Sequence, residues 1–128
     1  MNGWRSLWLQ GFARYLGMSA RVVLDDAEPA HSGGRCTCDV GGVYHVQVSR
    51  DLEPETAAKV LLHELGHIAG KHVGPVTALS ANPPALLRAV WASDAQAKEN
   101  QADCWAALRW AELSGMQRRA LAAIASGE

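Results

Sequence analysis

A histidine pair in the middle of the chain has the spacing of a metal site. The segment His63-Glu64-Leu65-Gly66-His67 matches the pattern H-E-x-x-H. Residues four apart lie on one face of a helix, so both imidazoles can reach one Zn²⁺ at about 2.0–2.1 Å. Glu64 lies about 100° around the helix from His63, where its carboxylate can reach a metal-bound water. This pattern predicts a zinc hydrolase in which the two histidines hold the ion and Glu64 is the catalytic base.

A catalytic zinc site also needs a third protein ligand and one open position for water. The candidates that the chain offers are His72, Glu99 and Asp103, with His31 and His45 less well placed. His72 misses the third position of the pattern H-E-x-x-H-x-x-G-x-x-H by one residue. Glu99 is favoured, because Glu99 and Asp103 are four residues apart and share one face of a predicted helix. Asp103 would then accept a hydrogen bond from a ligating histidine and orient its ring.

The two motifs together resemble the ImmA/IrrE metallopeptidases, which are gluzincin-like H-E-x-x-H zincins. That family carries HELGH and then E-x-x-A-(N or D)-x-(aromatic)-A on a later helix, and residues 99–106 read ENQADCWA. The resemblance covers most of the chain, from the predicted hairpin to residue 113. It implies a zincin fold, one Zn²⁺ held by His63, His67 and Glu99, and Glu64 as the base. It also implies a protein substrate, such as a helix-turn-helix repressor of a phage, a mobile element or a stress regulon.

Peptide hydrolysis through such a site also requires a group that stabilises the oxyanion. The sequence leaves three candidates for this role, or for the border of the cleft: Tyr44, His45 and His72. The strand pattern places His45 on the more polar strand face, where we expect it to be exposed.

Bulk composition limits the class of protein. The chain has 128 residues, 48% of them hydrophobic, which suits a single domain spanning 1–128. The net charge is −1 and there is no basic run, so we expect no direct nucleic-acid binding. No apolar run approaches the ~20 residues of a membrane helix. Gln10 and Arg14 interrupt the apolar N-terminal segment, which therefore predicts an amphipathic helix rather than a signal peptide, and a cytoplasmic location.

Periodicity predicts an α+β fold: a small, mostly helical domain with a short antiparallel sheet or hairpin beside the H-E-x-x-H helix. An apolar stripe predicts a core-facing helix over residues 3–17, and a strand follows over 20–24. The residues of this stripe are Trp4, Leu7, Trp8, Phe12, Tyr15 and Leu16. A hairpin is predicted over 35–49, with Gly41-Gly42 in its turn. The H-E-x-x-H helix should begin at a capping Asp51 and end at Gly70 or Gly74. Beyond it we predict a loop over 75–84, a short helix over 84–92, a capping box at 93–96 that opens a long helix to about 114, and a last helix over 116–125.

Three cysteines are too few for a disulfide framework. Cys36 and Cys38 share one strand face, either as two small packing residues or as part of a second metal or redox site. Cys104 is expected to pack in its helix.

Two other functions stay open from the sequence. One is a zinc-containing protein-binding module without catalysis, such as an anti-repressor or an assembly component. The other is a metal-free helical domain. His and carboxylate ligands also accept Mn²⁺ or Fe²⁺ in place of Zn²⁺.

Overall fold

A computed structural model describes residues 3–25, 33–71 and 85–127, with the side chains of 85–93 left aside. Four helices and three strands occur in these ranges: α1 (Gly3–Tyr15), β1 (Arg21–Leu24), β2 (Gly34–Cys38), β3 (Val43–Val48), α2 (Pro54–Ala69), α3 (Ala85–Glu112) and α4 (Gly115–Ser126). The predicted α+β class and mostly helical content are therefore confirmed. None of the described helices has the length and apolar character needed to cross a bilayer.

The sheet has the order β1-β3-β2, with β3 in the middle. β2 and β3 form the predicted antiparallel hairpin, in which Cys36 pairs with Val46. β1 is parallel to β3, so the sheet is mixed: the predicted antiparallel hairpin is confirmed for β2 and β3, and β1 adds a parallel strand. The chain reverses its direction twice between β1 and β3, and two reversals restore the original direction.

The hairpin turn spans Asp39 to Gly42 and needs one positive φ angle. Gly42 has φ +82°, while Gly41 does not have a positive φ. The Asp39 carboxylate accepts hydrogen bonds from the backbone N–H groups of Gly41 and Val43. The predicted turn at Gly41-Gly42 is therefore confirmed, with the positive φ angle at Gly42 alone, because the Asp39 side chain organises the first half of the turn.

The outer edge of β1 is covered by two polar side chains of α1. Gln10 accepts a hydrogen bond from the Val22 N–H and donates one to the Ala20 carbonyl. Ser6 does the same for the N–H and carbonyl of Leu24. The backbone groups of an edge strand are thereby satisfied without another strand.

This contact decides which face of α1 is buried. Ser6 and Gln10 point to β1, so the buried positions lie beside them at Leu9, Phe12 and Ala13. The predicted core stripe is wrong for three of its members, Trp4, Leu7 and Tyr15, which are 58%, 76% and 67% exposed. The hydrophobic pattern alone predicted the wrong buried face of α1, because two positions that face the sheet carry polar residues, which hydrogen-bond to β1.

Helix α2 forms the centre of the hydrophobic core. It contacts β2 and β3 on one side and α3 and α4 on the other. Leu61, Leu62 and Leu65 are fully buried, and each contributes about 1.5–3 kcal/mol through burial of its side chain. The helix begins with Pro54 after the N-cap Glu53, not at the predicted Asp51, and Gly70 is its C-cap. The candidate terminator Gly74 and the predicted loop over 75–84 lie outside the described residues.

Helix α3 is continuous from Ala85 to Glu112, so the predicted break and capping box at 93–96 are wrong. No Gly or Pro occurs between these residues to interrupt the helix. The capping box occurs instead at Ser114 and Gln117, where each side chain bonds the backbone N–H of the other residue. Gly115 is the first residue of α4, and the predicted final helix is confirmed.

Candidate metal centre

Two helices bring the predicted ligands together. His63 and His67 lie one turn apart on α2, and Glu99 faces them from α3. Nε2 of His63 is 2.8 Å from Oε2 of Glu99, and Nε2 of His67 is 3.1 Å from Oε1. The two Nε2 atoms are 3.1 Å apart. Among the described residues, these three form the group of donor atoms close enough to share one ion, and all lie within 4.8 Å of one another.

The spacing of these atoms fits a small tetrahedral cation. Ligand atoms at about 2.0–2.1 Å from Zn²⁺ are roughly 3.3 Å apart in a tetrahedron. The observed separations of 2.8–3.1 Å are a little shorter, and small outward shifts would admit the ion. Two imidazole nitrogens and one carboxylate are also a donor set of catalytic zinc, with one position left for water.

Asp103 lies next to the second ring nitrogen of His63. Nδ1 of His63 is 2.7 Å from Oδ1 of Asp103, so a proton on Nδ1 would be donated to that carboxylate. With its proton held on Nδ1, the ring presents the lone pair of Nε2 to the position between the two helices. Carboxylates in this position fix the orientation of a ligating ring and raise its basicity. The structure thus places Asp103 where an orienting partner would lie.

Gly66 allows the two helices to come close. A Cβ atom built on Gly66 would lie 3.0 Å from the carbonyl oxygen of Ala102 and 3.1 Å from its Cα. Both atoms belong to the backbone of α3, so a side chain could be accommodated only if the helix moved. Gly66 therefore brings α3 near enough for Glu99 to meet the histidines.

Glu64 lies in a buried environment beside this group. Glu64 is only 7% exposed. Burial raises the pKa of the Glu64 carboxyl to about 7; the nearby His63 opposes this shift and Glu99 adds to it. A carboxylate with a pKa near 7 can accept a proton and return it at neutral pH.

Gly34, at the start of β2, lies against Glu64. A Cβ on Gly34 would be 3.2 Å from Oε2 of Glu64, 3.0 Å from the Gln47 carbonyl oxygen and 2.6 Å from a methyl carbon of Val60. Only glycine fits between these atoms, so the edge strand passes directly over the carboxylate. Sequence patterns gave no signal for this contact, since it depends on how the sheet rests on α2.

Cys36 and Cys38 share the sheet face that packs on α2, as predicted. Val46, which pairs with Cys36, is fully buried on that face. Burial, with the neighbouring Glu64 and Cys38, raises the pKa of the Cys36 thiol to about 12, so the group stays protonated. Cys104 is exposed, and its predicted packing role is therefore wrong.

The structure does not bring Tyr44 or His45, two of the three predicted oxyanion helpers, to the centre. Tyr44 pairs with Cys38, about 13 Å along the strand from Gly34, and burial together with Cys38 and Cys36 raises its pKa. His45 is on the opposite face of the sheet, where Nε2 lies 2.9 Å from Oδ2 of Asp39. Its side chain is 35% exposed rather than fully exposed. His72 and the outlying candidate His31 fall outside the described residues.

A groove of about 320 Å³ runs along the two helices next to His63. It is lined by residues of α2 and α3: Lys59, His63, Asp103, Ala106, Ala107 and Trp110. Sequence reasoning missed it, although the helical period carried a signal. Lys59 is four residues before His63, while 103, 106, 107 and 110 repeat at helical spacing, so each set shares one face.

Comparison with protein-family models, with characterised proteins and with solved structures found no match for this chain.

Proposed function

We propose that this protein is a zinc-dependent endopeptidase, with His63, His67 and Glu99 as metal ligands and Glu64 as the catalytic base. One observation carries the proposal: three zinc-type donor atoms converge between α2 and α3 while a buried carboxylate with a raised pKa stands beside them. A charged face on a helix would explain Glu99 alone, but it would not explain two imidazoles directed at it.

Zinc in such a site lowers the pKa of its water to about 7 and polarises a carbonyl group. The residues of the chain supply the remaining steps. Glu64 accepts the proton of the attacking water and later delivers it to the leaving amine. Asp103 holds the His63 ring in the required tautomer through the 2.7 Å hydrogen bond.

The outer edge of β2 is suited to hold an extended peptide. The Asp39 N–H donates to the Val43 carbonyl and the Ser49 N–H to the Gly33 carbonyl, so the odd-numbered residues of β2 carry the backbone hydrogen bonds to β3. The N–H and carbonyl groups of Gly34, Cys36 and Cys38 consequently point outward. In the described part of the chain no strand pairs with this edge. A substrate strand added there would pass next to Glu64, because Gly34 contacts that carboxylate.

The resemblance to ImmA/IrrE metallopeptidases supplies the proposed substrate class. The substrate would be a regulatory protein, such as a helix-turn-helix repressor of a phage or mobile element, and cleavage would take place in the cytoplasm. The overall charge of −1 and the absence of basic runs favour contact with the repressor protein rather than with DNA.

The first test measures zinc. Purified wild-type protein should contain one zinc per chain, and His63→Ala should lose most of it, because removing one of three ligands leaves the ion poorly held. His45→Ala is the matched control, since that histidine lies on the far face of the sheet and should leave the zinc content unchanged. Equal zinc in all three proteins would refute the assigned ligands.

The second test separates a peptidase from a binding module. A library of random decapeptides, and the repressor encoded nearest to the gene, are incubated with wild-type protein and with Glu64→Gln, and fragments are identified by mass spectrometry. Wild-type protein should cut, whereas Glu64→Gln should retain zinc and lose at least about a hundredfold in rate. Stable complex formation without fragments would instead indicate the non-catalytic module.

A further inference from the structure

We propose that the outer face of helix α1 binds a second copy of this chain, so that the two α1 helices form an antiparallel pair. The outer face consists of the exposed residues Trp4, Leu7, Gly11, Arg14 and Tyr15. The inference is independent of the proposed peptidase function, because α1 packs on β1 and α4 whereas the metal centre lies between α2 and α3. Both copies of the centre would therefore stay accessible in the pair.

The outer face of α1 exposes an unusual amount of apolar surface. The side chains of Trp4, Leu7 and Tyr15 are each more than half exposed, which amounts to roughly 400 Å² of accessible surface. Two copies would bury roughly twice that area, and their flanking residues would bring the total near the ~1,000 Å² at which specific interfaces begin. This area suits a weak, reversible dimer rather than a permanent one.

The spacing of the exposed residues fits a pair of helices. Positions 4, 7, 11 and 14 follow one another at steps of three, four and three, which is the seam of a two-stranded coiled coil. In an antiparallel pair whose two-fold axis passes level with residue 9, Leu7 lies opposite Gly11 of the second copy. Trp4 then lies opposite Arg14 of the second copy.

This arrangement matches shape with shape and charge with an aromatic ring. Nothing lies within 4 Å of a Cβ built on Gly11, so the outer face has a recess there that the Leu7 side chain of a second copy can fill. Helix α1 contains no acidic residue, and the Trp4 indole is the group that a second copy offers to the Arg14 guanidinium, in a cation–π contact. A parallel pair would place Arg14 against Arg14 and would leave the recess at Gly11 empty.

Part of the face is held in place before any partner binds. The ring of Tyr15 stacks on the buried Phe12 with their centroids 6.3 Å apart, and Trp8 stacks on Phe12 at 5.1 Å. Association would therefore order few additional side chains, which lowers its entropic cost.

The experiment is sedimentation equilibrium of the full chain between about 1 and 500 µM, a range that covers weak association. A reducing buffer prevents the exposed Cys104 from cross-linking two copies. The average mass of wild-type protein should rise with concentration from that of one chain towards that of two. A mass of one chain over the whole range would overturn the proposal.

Leu7→Lys places a charge in the centre of the paired face and should raise the dissociation constant at least about tenfold. Leu7 is exposed and lies inside a helix, so the variant should keep the wild-type unfolding temperature. Leu108→Lys is the matched control, because it changes another exposed leucine on a different helix, α3, and should dimerise as the wild type does. Dimerisation that survives Leu7→Lys would refute the assigned face.

Arg14→Gln tests the direction of the two helices. In the antiparallel pair it removes two cation–π contacts and should weaken the dimer by about 5- to 30-fold. In a parallel pair it would remove a repulsion between two cations, and a tighter dimer would therefore overturn the antiparallel arrangement.

A membrane surface is the rival occupant of an exposed face that carries Trp, Tyr and Arg. Wild-type protein and Leu7→Lys are therefore also sedimented with vesicles of phosphatidylcholine and phosphatidylglycerol. Little binding is expected in either case. Vesicle binding that is lost in Leu7→Lys, from a protein that stays monomeric in solution, would assign the face to lipid and refute the dimer.

Discussion

His63 shows how one side chain can take part in two contacts with different purposes. Its Nδ1 lies 2.7 Å from Oδ1 of Asp103, and its Nε2 meets Glu99 at 2.8 Å. In a neutral imidazole that donates through Nδ1, the Nε2 atom is an acceptor, and here it faces a carboxylate oxygen that is also an acceptor. A cation between these two atoms would satisfy both. Asp103 thus determines which atom of His63 is available to a cation, although Asp103 itself is far more exposed than the ring it orients.

The raised pKa of Glu64 predicts how stability depends on pH in the metal-free protein. In the unfolded chain this carboxyl ionises near its ordinary value of 4.5, whereas in the folded protein its pKa is about 7. Between these values the folded state binds more protons, so the free energy of unfolding falls as pH rises. The loss is at most about 3 kcal/mol and is complete above pH 7.

The measurement is urea denaturation of the chelator-treated protein between about pH 5 and pH 8. Glu64→Gln removes the titrating group and keeps its shape, so it serves as the reference against the titration of the two histidines. Wild-type protein should lose stability relative to Glu64→Gln across this range. If the free energy of unfolding changed with pH equally in the two proteins, Glu64 would not be desolvated in the folded state.

At the scale of elements, the centre depends on the distance between α2 and α3. Two of the described residues that α3 buries on the core side are Ala102 and Ala106, which are small. Gly66 on α2 faces Ala102 with no side chain between the two backbones. Small residues on both helices therefore allow α2 and α3 to pack closely. This close packing brings Glu99 and Asp103 next to the histidines.

Replacing Gly66 with alanine should separate these helices. The added methyl group would lie 3.0–3.1 Å from backbone atoms of Ala102, which can move only if helix α3 moves. We expect Gly66→Ala to lower the free energy of unfolding by about 1–3 kcal/mol and to weaken zinc binding, as measured by denaturation and by chelator competition.

Gly11→Ala is the control for this prediction. Gly11 is also inside a helix, α1, but nothing lies within 4 Å of the Cβ that alanine would add. That substitution should raise stability by about 0.5–1 kcal/mol through helix propensity and leave zinc affinity unchanged. If both variants behaved alike, the close contact of α2 and α3 would be contradicted.

For the whole molecule, one hydrophobic core joins α1, the sheet, α2 and α4, while α3 packs mainly on α2. A cation bound by His63, His67 and Glu99 would link α3 to the centre of that core. Ligand binding to the folded state alone stabilises a protein, by about 4 kcal/mol at a thousandfold excess over the dissociation constant.

Zinc should therefore raise the unfolding temperature of the chelator-treated protein by several degrees. His67→Ala should lose this response, and Mg²⁺ should not reproduce it, because Mg²⁺ prefers six oxygen ligands. Scanning calorimetry with and without each metal measures the effect. An unfolding temperature that does not respond to zinc would contradict a metal link between the helices.

Local sequence patterns were sufficient to place the candidate ligands within single helices. The spacing of His63 and His67, and of Glu99 and Asp103, places each pair on one face, because the helical period is a local property of the backbone. The last helix was also predicted correctly from its local sequence. The predicted break at 93–96 was wrong, and the lack of Gly and Pro in that segment was a local signal against it.

Which faces of these elements meet depends on tertiary packing. The inward position of Ser6 and Gln10, the parallel direction of β1 and the closeness of Gly34 to Glu64 all depend on contacts between segments distant in sequence. The same holds for the groove at Trp110 and for the 2.8 Å approach of Glu99 to His63 across 36 residues of chain. Periodicity tells which side chains point the same way, but packing of one element against another determines what they face.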